Sequence, residues 1–259
     1  MIGAGNPTLT PDIFKASADG RRLEGGKSVM TIQGAVNASM ILGAVCAASA
    51  IGGWTILSNN PGMVMPMFLG GAIGGLILSL LIFLKPKTAP FAAPVYAVLQ
   101  GLFIGGISLL YAKISEGTKL GGSTGSGIVL NAGVLTFGVL FGMLFLYKTG
   151  IIKATGKFIA GVMAATAGVG MLFITVLVMN MFGGNTSWFY SGWIAIGISA
   201  AVVVIAAMNL IINFHVIEEG ANAGAPKYME WYAAFGLLVT VIWLYISMLR
   251  LLSMLNSRK

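Results

Sequence analysis

The sequence predicts an all-α integral membrane protein, a bundle of seven transmembrane helices. Three observations predict it. The 259 residues are 57% hydrophobic and only 8% charged, against about 25% charged in an ordinary soluble domain. Mean hydropathy is +0.92 and the chain holds 37 glycines, a composition of lipid-facing helices. The charge-free intervals are long enough for seven spans of about 20 residues each. They are apolar all round, whereas a membrane barrel strand is about 10 residues of alternating polarity. Only a helix satisfies its own backbone in lipid at this length.

Residues 1–27 are polar and of mixed charge, with Asp12, Lys15, Asp19, Arg21, Arg22, Glu24 and Lys27. No apolar core lies there to serve as a secretory signal, so the segment reads as a cytoplasmic tail before a membrane domain of residues 28–259. Ser28 to Leu84 carries no charge and is broken by "SNNPG", a turn signal. It holds spans at about 34–57 and 63–84. The third span is about 91–112 and the fourth about 127–147. Phe158 to Ile217 is charge-free and split by "GGNTS", giving spans at about 158–182 and 190–214. The last, about 230–252, ends near a basic "NSRK" terminus.

Orientation follows from the basic residues. The tail and the second, fourth and sixth loops carry ten of the fifteen lysines and arginines. The positive-inside rule then puts the N-terminus in the cytoplasm and the C-terminus outside. The net charge of +8 and pI near 9.7 belong to this asymmetry and to contact with anionic lipid, not to nucleic acid. The lipid bilayer is the first expected partner.

Glycines recur four apart: Gly70 with Gly74, Gly71 with Gly75, Gly101 with Gly105, and Gly138 with Gly142. Such pairs let helix backbones approach closely in lipid.

The chemistry of catalysis is missing. His215 is the single histidine and Cys46 the single cysteine, so no nucleophile–base pair, disulfide framework or metal-ligand cluster is expected. No aspartate lies in a span, which excludes proteolysis by paired aspartates. We expect no enzyme and no cofactor. Neutral polar residues do enter the spans: Gln100 in the third, Asn209 and Asn213 one helical turn apart in the sixth, Thr240 in the seventh. They serve either as hydrogen bonds between helices or as oxygen ligands along a hydrated path. His215 lies three and four residues before Glu218 and Glu219 and can pair with either when protonated. This makes a pH-sensing candidate, and a polar helix end facing the cytoplasm accounts for the same residues. Arg250 lies near the end of the last span, where its side chain can snorkel. "KYMEWY" supplies Tyr228, Trp231 and Tyr232 for an aromatic belt.

Four stretches carry a resemblance: "NPTLTPDIF", "MTIQGAVNASMILG", "APVYAVLQGLFIGGIS" and "IEEGANAGAPKYMEWYAAFGLLVTVIWLYISMLRLLSML". Through them the chain resembles the Bax inhibitor-1 (TMBIM) family in its bacterial branch, over nearly its whole length. The resemblance implies a compact bundle with the last helix central, in the bacterial inner membrane. It implies a pH-sensitive calcium leak, an ion-transporting channel gated by a hydrogen-bonded aspartate pair on the sixth and seventh helices, latched by an arginine of the second. It also implies a stress-response role through contact with membrane proteases or other membrane proteins. Carried over by residue, the aspartates fall at Asn213 and Thr240, a third-helix glutamate at Gln100, and the arginine of the last helix at Arg250. No arginine stands in 63–84. The carboxylate gate is thus replaced by an amide and a hydroxyl, and carboxylate pH gating should be altered or lost.

Overall fold

A computed structural model describes residues 29–117 and 125–256. The tail of residues 1–27 and the basic residues Lys119, Arg258 and Lys259 lie outside the described residues. Seven long helices are present: α1 Ile32–Asn59, α2 Val64–Leu84, α3 Ala89–Gly117, α4 Gly125–Lys148, α5 Gly156–Met181, α6 Gly192–Asn222 and α7 Met229–Asn256. All seven are long and apolar enough to cross a membrane. Among the described residues there is no strand, only an isolated bridge between Val29 and Pro226. The protein is an all-α integral membrane protein of seven spans.

Each turn signal in the sequence has a local cause. "SNNPG" becomes the end of α1 followed by a 3-10 turn, Pro61–Met63. A second 3-10 turn, Pro86–Thr88, starts with proline, whose missing N–H and fixed φ suit a helix start. α1 opens on Thr31 in extended conformation, its Oγ1 accepting from the Gly34 N–H at 3.0 Å. Thr155 caps α5 in the same way, accepting from the Phe158 N–H. A one-turn helix, Ser187–Tyr190, separates α5 from α6.

The largest difference from the predicted spans is at the end of α6. α6 continues to Asn222, about two turns beyond the predicted end at 214. His215, Glu218 and Glu219 therefore sit on α6 itself, and the first residues of "GANAGAP" are helical. Helical hydrogen bonding outlasts the apolar stretch because the polar end needs no lipid to support it. α7 is one unbroken helix through Arg250, and it is the most enclosed of the seven, with 56% of its apolar segment buried.

The described residues pack as two units. One comprises 29–110 and 213–242, the other 111–117, 125–212 and 243–256. In the first, Tyr232, Ala233, Ala234 and Phe235 of α7 are fully buried, and Phe235 meets Tyr96 of α3 edge to face at 4.8 Å. The glycine pairs explain how tightly α1, α2 and α3 join here. A Cβ on Gly71 would lie 2.7 Å from the Leu99 carbonyl, and one on Gly105 2.7 Å from the Ala50 carbonyl. One on Gly101 would strike the Cys46 carbonyl, and one on Gly75 the Gln100 amide. The approaches at Gly71, Gly101 and Gly105 are to backbone, which only glycine permits, whereas Gly75 makes room for a side chain. In the second unit Met248 and Leu249 pack with Ile128 and Ala132 of α4. The expectation for Gly138 and Gly142 fails there: both face open space, beside the exposed Phe137 and Phe141, and so does Gly70 of the first unit. Spacing alone reports a flat helix face, not which neighbour lies against it.

Candidate functional site

Asn213 and Thr240, the two positions singled out through the family resemblance, are in direct contact. Asn213 Nδ2 donates to Thr240 Oγ1 at 2.7 Å, joining α6 to α7. The residues are 0% and 3% exposed. Thr240 in turn donates to the Gly236 carbonyl one turn earlier, at 3.3 Å. Asn213 Oδ1 is buried with no hydrogen-bond partner. An unsatisfied buried acceptor costs about 1–3 kcal/mol, so the pair is held by the packing of α7 around it. Val216 and Ile217, one turn further along α6 from Asn213, are buried and apolar. Chemically the site offers one hydroxyl oxygen and one free amide carbonyl. Neither changes charge between pH 5 and 8.

Further along α6, His215 Nε2 lies 3.9 Å from Glu219 Oε1, with side chains 28% and 42% exposed. The contact is an ion pair only when the histidine is protonated, and the distance is too long for a hydrogen bond. The i,i+4 spacing on a continuous helix produces it. Glu218 stands on the same turn, more exposed than His215's neighbours Phe214 and Val216.

The other sequence candidates have separate partners. Asn209 Nδ2 donates to Thr166 Oγ1 of α5 at 2.8 Å and to the Ile205 carbonyl at 2.9 Å. Thr166 passes the chain on to the Val162 carbonyl, so this amide clips α5 to α6. Gln100 lies with its amide over Gly75 of α2. Arg250 Nη2 donates to the Phe189 carbonyl at 2.7 Å, and its guanidinium carbon stands 3.8 Å from the centre of the Phe189 ring.

Three participants escaped sequence reasoning. Thr166 was one hydroxyl among several in apolar helices, and nothing marked it as the partner of Asn209. Phe189 acts through its backbone carbonyl and its ring face, which side-chain identity does not announce. Glu230 has no mark in the sequence beyond its place near the start of the last span, yet it is 4% exposed and organises an anchor. Its Oε1 accepts from the Thr31 N–H, the Thr31 hydroxyl and Lys227 Nζ, each at 2.9 Å. The carboxylate thereby stands at the N-terminus of α1, where the helix dipole favours negative charge. The Met30 N–H donates to the Ala225 carbonyl at 2.7 Å beside it. Acid in the first turn of α7 next to a threonine-capped α1 was the available signal.

Among the described residues no three of His, Cys, Asp and Glu come together as a metal-binding group. No curated protein and no solved structure matches the chain. A model of the Bax inhibitor 1 like family matches residues 6–257. That match spans all seven helices, the Asn213–Thr240 pair and the Glu230 anchor, and the chain belongs to the Bax inhibitor 1 like family.

Proposed function

We propose that the protein is a channel-like cation leak whose carboxylate gate has been replaced by an uncharged one. The observation that carries this reading is the buried hydrogen bond from Asn213 to Thr240, at the two positions where the family resemblance places an aspartate pair. A pair of carboxylates titrates because like charges close together repel; an amide and a hydroxyl do not. Calcium is a hard cation that takes 6–8 oxygen ligands, charged ones above all. Asn213 Oδ1 and Thr240 Oγ1 are neutral oxygens, which suits weak passage of a cation as cargo rather than tight binding. Gln100 and Asn209 are the further neutral groups assigned to the path, and the resemblance adds Arg250. Gating in this reading is steric: the pair opens when α6 and α7 separate, with no proton required. His215 and Glu219, whose Nε2 and Oε1 lie 3.9 Å apart, are the pair to which this reading assigns any remaining pH response.

Calcium flux into vesicles reconstituted with the full chain tests the reading. Flux above that of protein-free vesicles is expected. Its absence across pH 5 to 8 would remove the leak.

One observation favours a second reading. The interior pair carries no charge and is closed by a 2.7 Å hydrogen bond, as suits a non-conducting membrane protein that acts through contacts with proteases or other membrane proteins under stress. In that case crosslinking in native membranes yields a reproducible partner and the vesicles stay tight.

A further inference from the structure

A cavity of about 780 Å³ opens in the unit formed by 111–117, 125–212 and 243–256. It is bounded by Tyr111 of α3, α5, the turn before α6, α6 and the last turns of α7. Its size falls within the roughly 300–1,000 Å³ of small-molecule sites. Among the described residues that line it, Arg250 is the one charged side chain. Hydroxyl and amide groups accompany it, notably Ser191, Ser247, Tyr190 and Asn180, while Val176, Leu177, Ile196 and Ile246 form apolar wall.

The charge balance of this cavity is incomplete. Arg250 has no carboxylate within ion-pair reach among the described residues. One of its five N–H donors goes to the Phe189 carbonyl, and its face rests on the Phe189 ring. The remaining donors have no protein acceptor among the described residues. A guanidinium at this depth in an apolar protein calls for an anion, and its planar fork matches the two oxygens of a phosphate or carboxylate.

The depth is readable from the same unit. Phe182 and Trp193 are 85% and 80% exposed on either side of the turn that roofs the cavity, and Tyr190 between them is exposed as well. Exposed aromatic side chains at a helix end mark the headgroup layer. Arg250 lies six residues before the end of α7, or about 9 Å along the helix, which places its charge just beneath that layer. One cation, hydroxyl and amide groups, and apolar wall in the same cavity suit the head and acyl chain of a phospholipid.

We propose that this cavity binds a phospholipid, the guanidinium of Arg250 holding the phosphate head and the apolar wall holding the adjoining acyl chain. The proposal stands whether or not the protein conducts.

The test uses the purified full chain in an uncharged detergent. Phosphatidylglycerol, the diacylglycerol of the same chains, and inorganic phosphate are titrated separately, with bound lipid read by native mass spectrometry and the melting temperature followed in parallel. Phosphatidylglycerol should bind saturably and raise the melting temperature, diacylglycerol should bind about tenfold more weakly, and inorganic phosphate should neither bind nor compete in the same range. Arg250→Gln should weaken phosphatidylglycerol about tenfold. Ile246→Trp, which fills the cavity and leaves the guanidinium in place, should weaken it as well and serves as the reading if Arg250→Gln does not fold. Phosphatidylglycerol binding undiminished by either variant would overturn the proposal. So would competition by inorganic phosphate at equal concentration, which would mark a site for free anions.

Discussion

At the scale of single residues, the polar groups of this membrane protein sort by whether their partners complete them. Thr240 is the hinge of the buried pair. Removing its hydroxyl strands the Asn213 amide in an apolar interior, so Thr240→Val should destabilise by about 1–3 kcal/mol. Asn213→Leu with Thr240→Val removes both polar partners together and should restore part of that loss. Melting temperatures of the two variants in detergent check this; a double variant less stable than the single would show that the pair stabilises beyond satisfying itself. Glu230 is the opposite case, a buried carboxylate with three donors. Glu230→Ala should cost about 2–4 kcal/mol because it removes charge-assisted bonds and the cap extension of α1. Thr31→Ala, which deletes only the cap side chain, should cost about 1 kcal/mol. An order of effects reversed between these two would show that Glu230 is a passive helix end.

At the scale of elements, the spans were legible and their contacts were not. Lipid demands about 20 apolar residues per helix, so charge-free intervals and Gly, Pro and Asn breaks located all seven helices. The apolar stretch of α6 reports where lipid stops, while the helix itself continues to Asn222 and Gly224, at φ +68°, turns the chain. Glycine spacing identified candidate contact faces, yet only some are used. Gly101→Ala and Gly105→Ala should each lower stability by about 1–3 kcal/mol, since the new methyl meets a backbone carbonyl that cannot rotate away. Gly138→Ala, made in open space, should be neutral or slightly stabilising. Thermal unfolding of the three variants in one detergent separates these outcomes. Equal losses at all three would mean that the open faces of α4 are covered by something further.

At the scale of the whole molecule, the buried pair that joins α6 to α7 carries no charge. Family patterns in the sequence named Asn213 and Thr240 as one site although 27 positions separate them, and composition alone would never have paired them. What stayed illegible was geometry: the orphaned Asn213 carbonyl, the Phe189 carbonyl under Arg250 and the cavity around it arise from packing that no spacing rule encodes. The central claim is that the Asn213–Thr240 pair has lost carboxylate gating. It is tested by calcium flux into reconstituted vesicles from pH 5 to 8, comparing His215→Ala with the same variant carrying Asn213→Asp and Thr240→Asp. The account predicts a flat profile for the first, with the histidine contribution removed, and a pH-dependent profile for the second. A steep pH response in His215→Ala alone would contradict it.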